Sequence, residues 1–287
     1  MTVRSRLLLA LNHLFPRPLE YDDRSDESYS NWEFESGRYM FDRFFAGRVD
    51  IEGGRMLDLG CGTGGKASFY STLSPASLIA VDMLEGNVGK ARKFAAGRGS
   101  AGSLRFAAAD AASLPFGGEC FDVIAATDTF EHFADPLAVL GEISRVLAPG
   151  GRLIFYFTPH YSPLGSHMYD VIHLPWCHLV AGERVLFEAV ETALLRDAEA
   201  AGGDDPAAAA GRRAAELREY YRKDLNRMTV RRFLRLVEGV PGLELEWFYR
   251  KPLKTRLLSP LTRIHPVGEL VTTLAIGLLR KSRGTSR

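Results

Sequence analysis

Three features of this 287-residue sequence predict an α/β fold. Short apolar runs alternate with helical periods from residue 55 to residue 158, a glycine-rich turn stands where the first run meets its helix, and the alternation breaks after residue 158. Strands separated by single helices imply right-handed crossovers, hence a parallel sheet with helices on both faces. The expected architecture is Rossmann-like and doubly wound, with a helical lid inserted after the fifth strand. Four segments follow: 1–54, N-terminal helices; 55–158, the α/β core; 159–227, a loop and helical lid; 228–287, a helix and strands that complete the core.

Arg4 and Arg6 precede Leu7 to Leu11, an amphipathic helix that Pro16 should end. Tyr21 to Asn31 reads as irregular and polar, and Trp32 to Phe45 as a helix with Tyr39, Met40 and Phe44 inward. Arg55 to Leu59 is a strand ending in glycines, and a helix follows near Lys66 to Thr72. Leu78 to Val81 is a second strand, Leu84 to Ala96 a helix closed by Gly97, Leu104 to Ala108 a third strand and Phe121 to Ala126 a fourth. Asp135-Pro136 makes an N-cap and first-turn pair for a helix to Leu147 with Leu137, Leu140 and Ile143 on one face. Pro149-Gly150-Gly151 then turns the chain into a fifth strand, Arg152 to Phe157.

His160 to His178 is rich in histidine and aromatics and has no clear period. Glu183 to Ala200 is helical, Gly202-Gly203 stops it, and Asp205-Pro206 starts a second helix to about Lys223: a helical hairpin. Thr229 caps a short helix ended by Gly239 and Pro241. Leu243 to Tyr249 alternates as a strand, β-branched residues favour a strand over Val271 to Leu279, and the basic tail after Arg280 reads as disordered.

Three cysteines, Cys61, Cys120 and Cys177, give neither a disulfide framework nor a thiolate metal site, which suits a cytoplasmic setting. No apolar run reaches the length of a membrane span, so membrane contact, if any, is peripheral. A net charge of +1 argues against wholesale nucleic-acid binding. From Arg212 to Arg256, however, 13 Lys/Arg stand against 6 Asp/Glu. Such a run suits an anionic substrate or a solvated helical surface.

The chemical signal is Asp58-Leu59-Gly60-Cys61-Gly62-Thr63-Gly64-Gly65 at the first strand's end. Glycines let a backbone approach a ligand, and open α/β sheets bind ligands outside the carboxyl ends of their strands. Gly60, Gly62 and Gly65 even satisfy the dinucleotide spacing. Yet the Asp58 carboxylate would repel a pyrophosphate and could help hold a cationic ammonium or sulfonium. Asp82 ends the second strand, where a carboxylate can accept from ribose hydroxyls.

The span resembles class I S-adenosylmethionine-dependent methyltransferases of the small-molecule and ubiquinone-biosynthesis-like group. The matches are Leu57 to Gly64, Ala80-Val81-Asp82-Met83, Ala109-Asp110-Ala111 with Leu114-Pro115-Phe116, Phe121-Asp122-Val123-Ile124, and Leu147 to Leu153, in the family's order and spacing. The resemblance implies S-adenosylmethionine as cofactor and a seven-stranded sheet, mostly parallel, whose last strand is antiparallel. It makes Gly60 and Gly62 the floor under the methionine part, beside the Asp58 carboxylate, Asp82 the ribose ligand, and Asp110 and Ala111 the partners of adenine. Met83 would pack on the ring, and Thr127 would stand beside the cofactor after the fourth strand. Taken singly, each is equally a turn glycine, a strand-end acid or a core methionine. The Trp32 to Phe41 helix would cover the cofactor, and the lid would sit over the acceptor pocket.

Methyl transfer is an in-line displacement in which the cofactor supplies the electrophile, so a general base is optional. Candidates follow strands four and five: Thr127, Asp128, Glu131 and His132, then His160, Tyr161, His167, Tyr169, Asp170, His173 and His178. His160 and His167 lie closest to the strand end, in a loop with Gly165, and histidine suits proton removal near neutral pH. No pair shows metal-ligand spacing. Phe130-Glu131-His132 also resembles cyclopropane fatty-acid synthases, which would make Glu131 the important group. Three readings stay open: methyl transfer to an O, N or C nucleophile of a small molecule, a cyclisation or methylation-coupled rearrangement, and a non-catalytic cofactor-binding subunit or RNA modifier. The sequence leaves the oligomeric state unspecified.

Overall fold

A computed structural model describes residues 1–15, 25–99, 102–202, 204–253, 260–264 and 266–283. Seven strands form one sheet in the order β3-β2-β1-β4-β5-β7-β6. They are β1 (Arg55–Leu59), β2 (Ser77–Asp82), β3 (Leu104–Ala108), β4 (Phe121–Thr127), β5 (Leu147–Phe157), β6 (Leu243–Pro252) and β7 (Thr272–Lys281). The first five pair in parallel, and the last strand runs antiparallel, as expected. No helix among the described residues is long and apolar enough to cross a membrane. The chain divides into two compact units.

The sheet unit comprises Tyr21–Phe157, Arg231–Tyr249 and Ile276–Arg287. Its helices are α2 (Asp26–Phe44), α3 (Gly65–Ser71), α4 (Glu85–Gly97), α5 (Pro136–Val146) and most of α9 (Val230–Glu238). Helix α2 starts six residues before the expected Trp32, inside the stretch expected to be irregular. Ser25 caps it by accepting from the Ser28 N–H, and Asp26 and Glu27 occupy the first turn, where acids suit the helix dipole. Its inner face carries Met40 and Phe41, while Tyr39, expected inward, is exposed. In α5 the Asp135 carboxylate accepts from the Leu137 and Ala138 N–H groups at 3.1 Å, as the Asp-Pro pair implies. Leu140 and Ile143 are buried with Val139 and Val146, and Leu137 is exposed instead.

Strand β5 begins at Leu147, where a turn was expected. Leu147 pairs with Phe121 and the pairing resumes at Val123 with Arg152, so Ala148 to Gly151 form an irregularity inside the strand. Phe130, Phe155, Phe157 and Phe233 interlock beneath the sheet, with Phe155 and Phe233 centroids 4.6 Å apart. These rings fix the carboxyl ends of β4 and β5.

The helical unit comprises Met1–Glu20, Thr158–Val230 and Arg250–Ala275. It contains α1 (Val3–Asn12), α6 (Cys177–Val180), α7 (Glu183–Ala201), α8 (Pro206–Lys223), a 3₁₀ turn at Pro260–Arg263 and α10 (Val267–Val271). Gly202 ends α7 in the left-handed region, and Asp205 caps α8 by accepting from the Ala208 N–H, so the expected hairpin is present. Leu186, Phe187, Val190 and Leu194 of α7 pack with Ala210, Ala214 and Tyr221 of α8, and with Leu8 and Leu9 of α1. The alanines give α8 a small face that lets α7 approach. The 3₁₀ turn and α10 escape the sequence reading, each being too short to show a period. Pro16, Gly203, Arg256, residues 21–24 of the stretch expected to be irregular and the tail from residue 284 lie outside the described residues.

Candidate functional site

The glycine turn is built against the end of β2. Gly60 N and Cys61 N donate to the Val81 carbonyl at 2.8 and 2.9 Å, and Gly62 N donates to Asp82 Oδ2 at 3.0 Å. The other Asp82 oxygen accepts from Leu84 N at 2.9 Å and Asn87 Nδ2 at 3.1 Å. Gly60 has φ +72°, and a side chain there would meet Thr129 Cγ2 at 2.5 Å, so this position takes glycine alone. One strand over, Asp110 Oδ1 accepts from Ala112 N at 2.8 Å. Because β1, β2 and β3 are parallel neighbours, Asp58, Asp82 and Asp110 stand at or just beyond three adjacent carboxyl ends. Met83 is exposed beside them and Ala111 is buried.

A buried charge cluster underlies this crevice, and the sequence reading missed most of it. Glu33 of α2 accepts from the Thr63 hydroxyl at 3.0 Å, and Ser30 Oγ donates to Thr63 Oγ1 at 2.7 Å. The α2 backbone comes so near that a side chain at Gly65 would collide with the Ser30 carbonyl. Lys66 of α3 donates to Asp128 Oδ2 at 2.7 Å and to the Thr127 carbonyl at 3.4 Å, and its ammonium lies 5.3 Å from the Tyr156 ring centroid. Thr127, expected beside the cofactor, therefore holds Lys66 through its main chain. Every α3 residue is buried, so a charge on that helix must find partners inside.

The cluster's electrostatics are unbalanced. Burial weakens the Lys66 ammonium, but Asp128, Tyr156 and Glu33 outweigh it and hold its proton affinity well above the ordinary lysine value. Asp58 is 2% exposed, and its Oδ2 has no hydrogen-bond partner among the described residues. Burial raises its carboxyl to about 7; Lys66 opposes the rise, and Glu33 and Asp82 add to it. Burial likewise raises Glu33, against Lys66 and the Thr63 hydrogen bond. The site is thus deficient in positive charge. An S-adenosylmethionine, with its sulfonium and ammonium, is the kind of ligand these carboxylates fit, and the unpartnered Asp58 oxygen is the specific observation in its favour.

The proposed catalytic residues belong to both units. In the sheet unit, Glu131 is buried, and His132 is half-buried with its N–H donated to the Thr129 carbonyl. In the helical unit His160 pairs with His178: the rings are 5.2 Å apart and T-shaped, and His178 Nε2 donates to the His160 carbonyl at 2.6 Å. Burial, then His178 and Arg227, lower His160 to about 4, so its imidazole is neutral at pH 7. His167 instead faces Tyr169 and Tyr220, with centroids 6.4 Å away. His160 and His167 thus keep different partners, although one loop carries both. Among the described residues no three His, Cys, Asp or Glu side chains gather as a metal site. In α8 of the basic run, Arg213 pairs with Glu216, Arg222 with Glu183 and Lys223 with Glu219.

Residues 57–155 match the family model described as a methyltransferase domain. A demethylmenaquinone methyltransferase of Thermus thermophilus is 42% identical over 101 residues, 35% of this chain and 45% of that protein. A probable phthiotriol/phenolphthiotriol dimycocerosates methyltransferase 2 of Mycobacterium ulcerans is 35% identical over 139 residues, 48% of this chain and 49% of that one. The chain spans about half the length of the curated relatives it matches. The crystal structure of an S-adenosylmethionine-dependent methyltransferase from Mesorhizobium loti superposes with a TM-score of 0.52 at 15% identity, covering 90% of this chain and all of that one. At that identity the likeness concerns the fold.

Proposed function

We propose, for a chain whose residues 57–155 match a methyltransferase-domain family model, that the protein is a class I S-adenosylmethionine-dependent methyltransferase and transfers a methyl group to an O, N or C nucleophile of a small molecule. The observation that carries the proposal is the surplus of buried carboxyl groups around a glycine turn at the strand ends, with Asp58 Oδ2 lacking a hydrogen-bond partner among the described residues. Asp58, Gly60 and Gly62 would hold the methionine part, Asp82 the ribose hydroxyls, Asp110 and Ala111 the adenine edge, with Met83 on the ring and Thr127 beside the cofactor. When bound, the cofactor supplies an electrophilic methyl group.

The chain's own residues then need to orient the acceptor, exclude water and, for a protonated nucleophile, take a proton. Among the four candidates we assign proton acceptance first to His160, whose imidazole is neutral at pH 7; the burial that keeps it neutral also makes it a weak base. His167, His132 and Glu131 remain proposed acceptor-side groups. The acceptor class, a small molecule, is carried over from the relatives' names. We extend the reading to a secondary metabolite, glycan or lipid-like compound in the cytoplasm.

Calorimetry with S-adenosylmethionine and S-adenosylhomocysteine, followed by transfer of labelled methyl to fractionated extract, tests this. Both ligands should bind, and label should enter a small-molecule fraction. Binding with no labelled product would leave a cyclase or a binding subunit, label in RNA would mark a different acceptor class, and either result overturns the proposal.

A further inference from the structure

We propose that the outer face of α1, together with the tip of α6, is a docking surface for an anionic lipid bilayer. Helix α1 buries Ser5, Leu8, Leu9 and Asn12. The polar pair is satisfied internally: the Ser5 hydroxyl donates to the Thr2 carbonyl, and Asn12 accepts from the Leu174 N–H at 2.9 Å. The outward side carries the remaining apolar residues. At about 100° per residue, Val3, Leu7, Leu11 and Leu14 fall within an arc of roughly 80°, and they are 81, 59, 39 and 73% exposed. Leu14 lies just beyond the helix, held in line by its N–H to the Leu11 carbonyl.

Isolated exposed leucines are ordinary on protein surfaces, but a continuous stripe is not. Here the stripe continues onto a second element. Leu7, Leu11 and the 73%-exposed Val180 line one shallow depression of about 210 Å³, together with the half-buried Leu174 and Val185 and with no carboxylate in its lining. Charge selects the occupant. Arg4 lines the depression, Arg6 falls on the stripe's opposite flank, and neither forms an ion pair among the described residues. Such an arrangement suits the bilayer interface, where the apolar side chains reach the acyl boundary and the guanidinium groups stay among anionic headgroups. A symmetric pairing of two copies through this face would instead bring like charges together.

Vesicle co-sedimentation of the full chain tests the surface, using phosphatidylcholine vesicles with and without phosphatidylserine. The variants are Leu7→Glu/Val180→Glu and Arg4→Glu/Arg6→Glu. All four positions are exposed, so folding should persist, with circular dichroism and S-adenosylhomocysteine binding as controls. The wild-type protein should pellet with the serine-containing vesicles, less so as salt rises, and each double variant should partition at least about tenfold less. Wild-type protein that stays in the supernatant, or variants that pellet as it does, overturns the proposal. So does a wild-type dimer that the Leu7→Glu/Val180→Glu change converts to monomer without any vesicle binding. None of these readouts depends on methyl transfer.

Discussion

Replacing Asp58 with asparagine should make the ligand-free protein more stable at pH 8 while weakening its hold on S-adenosylmethionine. Asp58 titrates at about 7 in the fold, against an ordinary value of 3.8. At about 1.4 kcal/mol per tenfold change in proton affinity, ionising it in place costs the native state about 4 kcal/mol more than in the unfolded chain. Because the native carboxyl binds its proton more tightly, this contribution is absent below pH 3.8 and grows as pH rises to about 7. Asparagine removes that cost but leaves an amide with no assured partner, which returns about 1–2 kcal/mol. The expected gain is therefore about 2–3 kcal/mol at pH 8 and nothing, or a small loss, at pH 5. Urea unfolding of both proteins from pH 5 to pH 8.5 measures it, with the wild-type curve falling through this window and the variant curve flatter. Calorimetry should show at least about tenfold weaker cofactor binding at pH 8, since a cation loses its carboxylate partner. Equal destabilisation at pH 5 and pH 8 would refute the reasoning, because it would mean that Asp58 is already ionised and paired.

Lys66→Met should cost about 3 kcal/mol at pH 7, since it strands Asp128 and Glu33 without their ammonium. The value sits at the low end because Asp128 is 38% exposed. Adding Asp128→Asn should restore part of the loss in a denaturation double-mutant cycle, and strict additivity would dismiss the pairing. Glu33→Gln should weaken S-adenosylmethionine several-fold more than S-adenosylhomocysteine, which lacks the sulfonium charge. An equal loss for both in calorimetry would place Glu33 in folding alone. His160→Gln should lower kcat about a hundredfold with KM little changed if this imidazole takes the acceptor's proton. In stability the lowered His160 value favours the native state above pH 6.5, and that contribution is lost as pH falls towards 4. The wild-type urea midpoint should fall across that window more steeply than the variant's.

Local rules carried the fold where they were strong. Asp135-Pro136 and Asp205-Pro206 start helices in the structure, Gly202 ends one, and the strands Arg55–Leu59 and Leu104–Ala108 keep their expected bounds. The departures have physical causes. The first turn of α2 is polar because its acids serve the helix dipole and its serine caps it, and polarity alone resembled a loop. Pro149-Gly150-Gly151 has the composition of a turn, yet its neighbours were already committed to pairing with Phe121 and Val123. The site divides along the same line. Gly60, Asp58 and Asp82 announce themselves by position at strand ends, whereas Glu33 and Lys66 gain their roles only when α2 closes on α3 and both side chains lose water.

That closure also resolves what the glycine spacing leaves open. Gly60, Gly62 and Gly65 satisfy a dinucleotide pattern in which the second glycine lets the backbone approach a pyrophosphate and the third serves close helix packing. Gly65 serves packing here, since a side chain on it would meet the Ser30 carbonyl of α2, so it is the charge balance that decides between the ligands. The carboxyl groups around the turn are already too many for the single Lys66 ammonium, to the point that Asp58 holds a proton up to about pH 7. A pyrophosphate would add anionic charge where the protein is already shedding it. A ligand bearing positive charge would let Asp58 and Glu33 ionise, converting a cost of the free protein into attraction for the bound one. The protein therefore gives up stability at Asp58 when empty, and a cationic cofactor bound there would restore it.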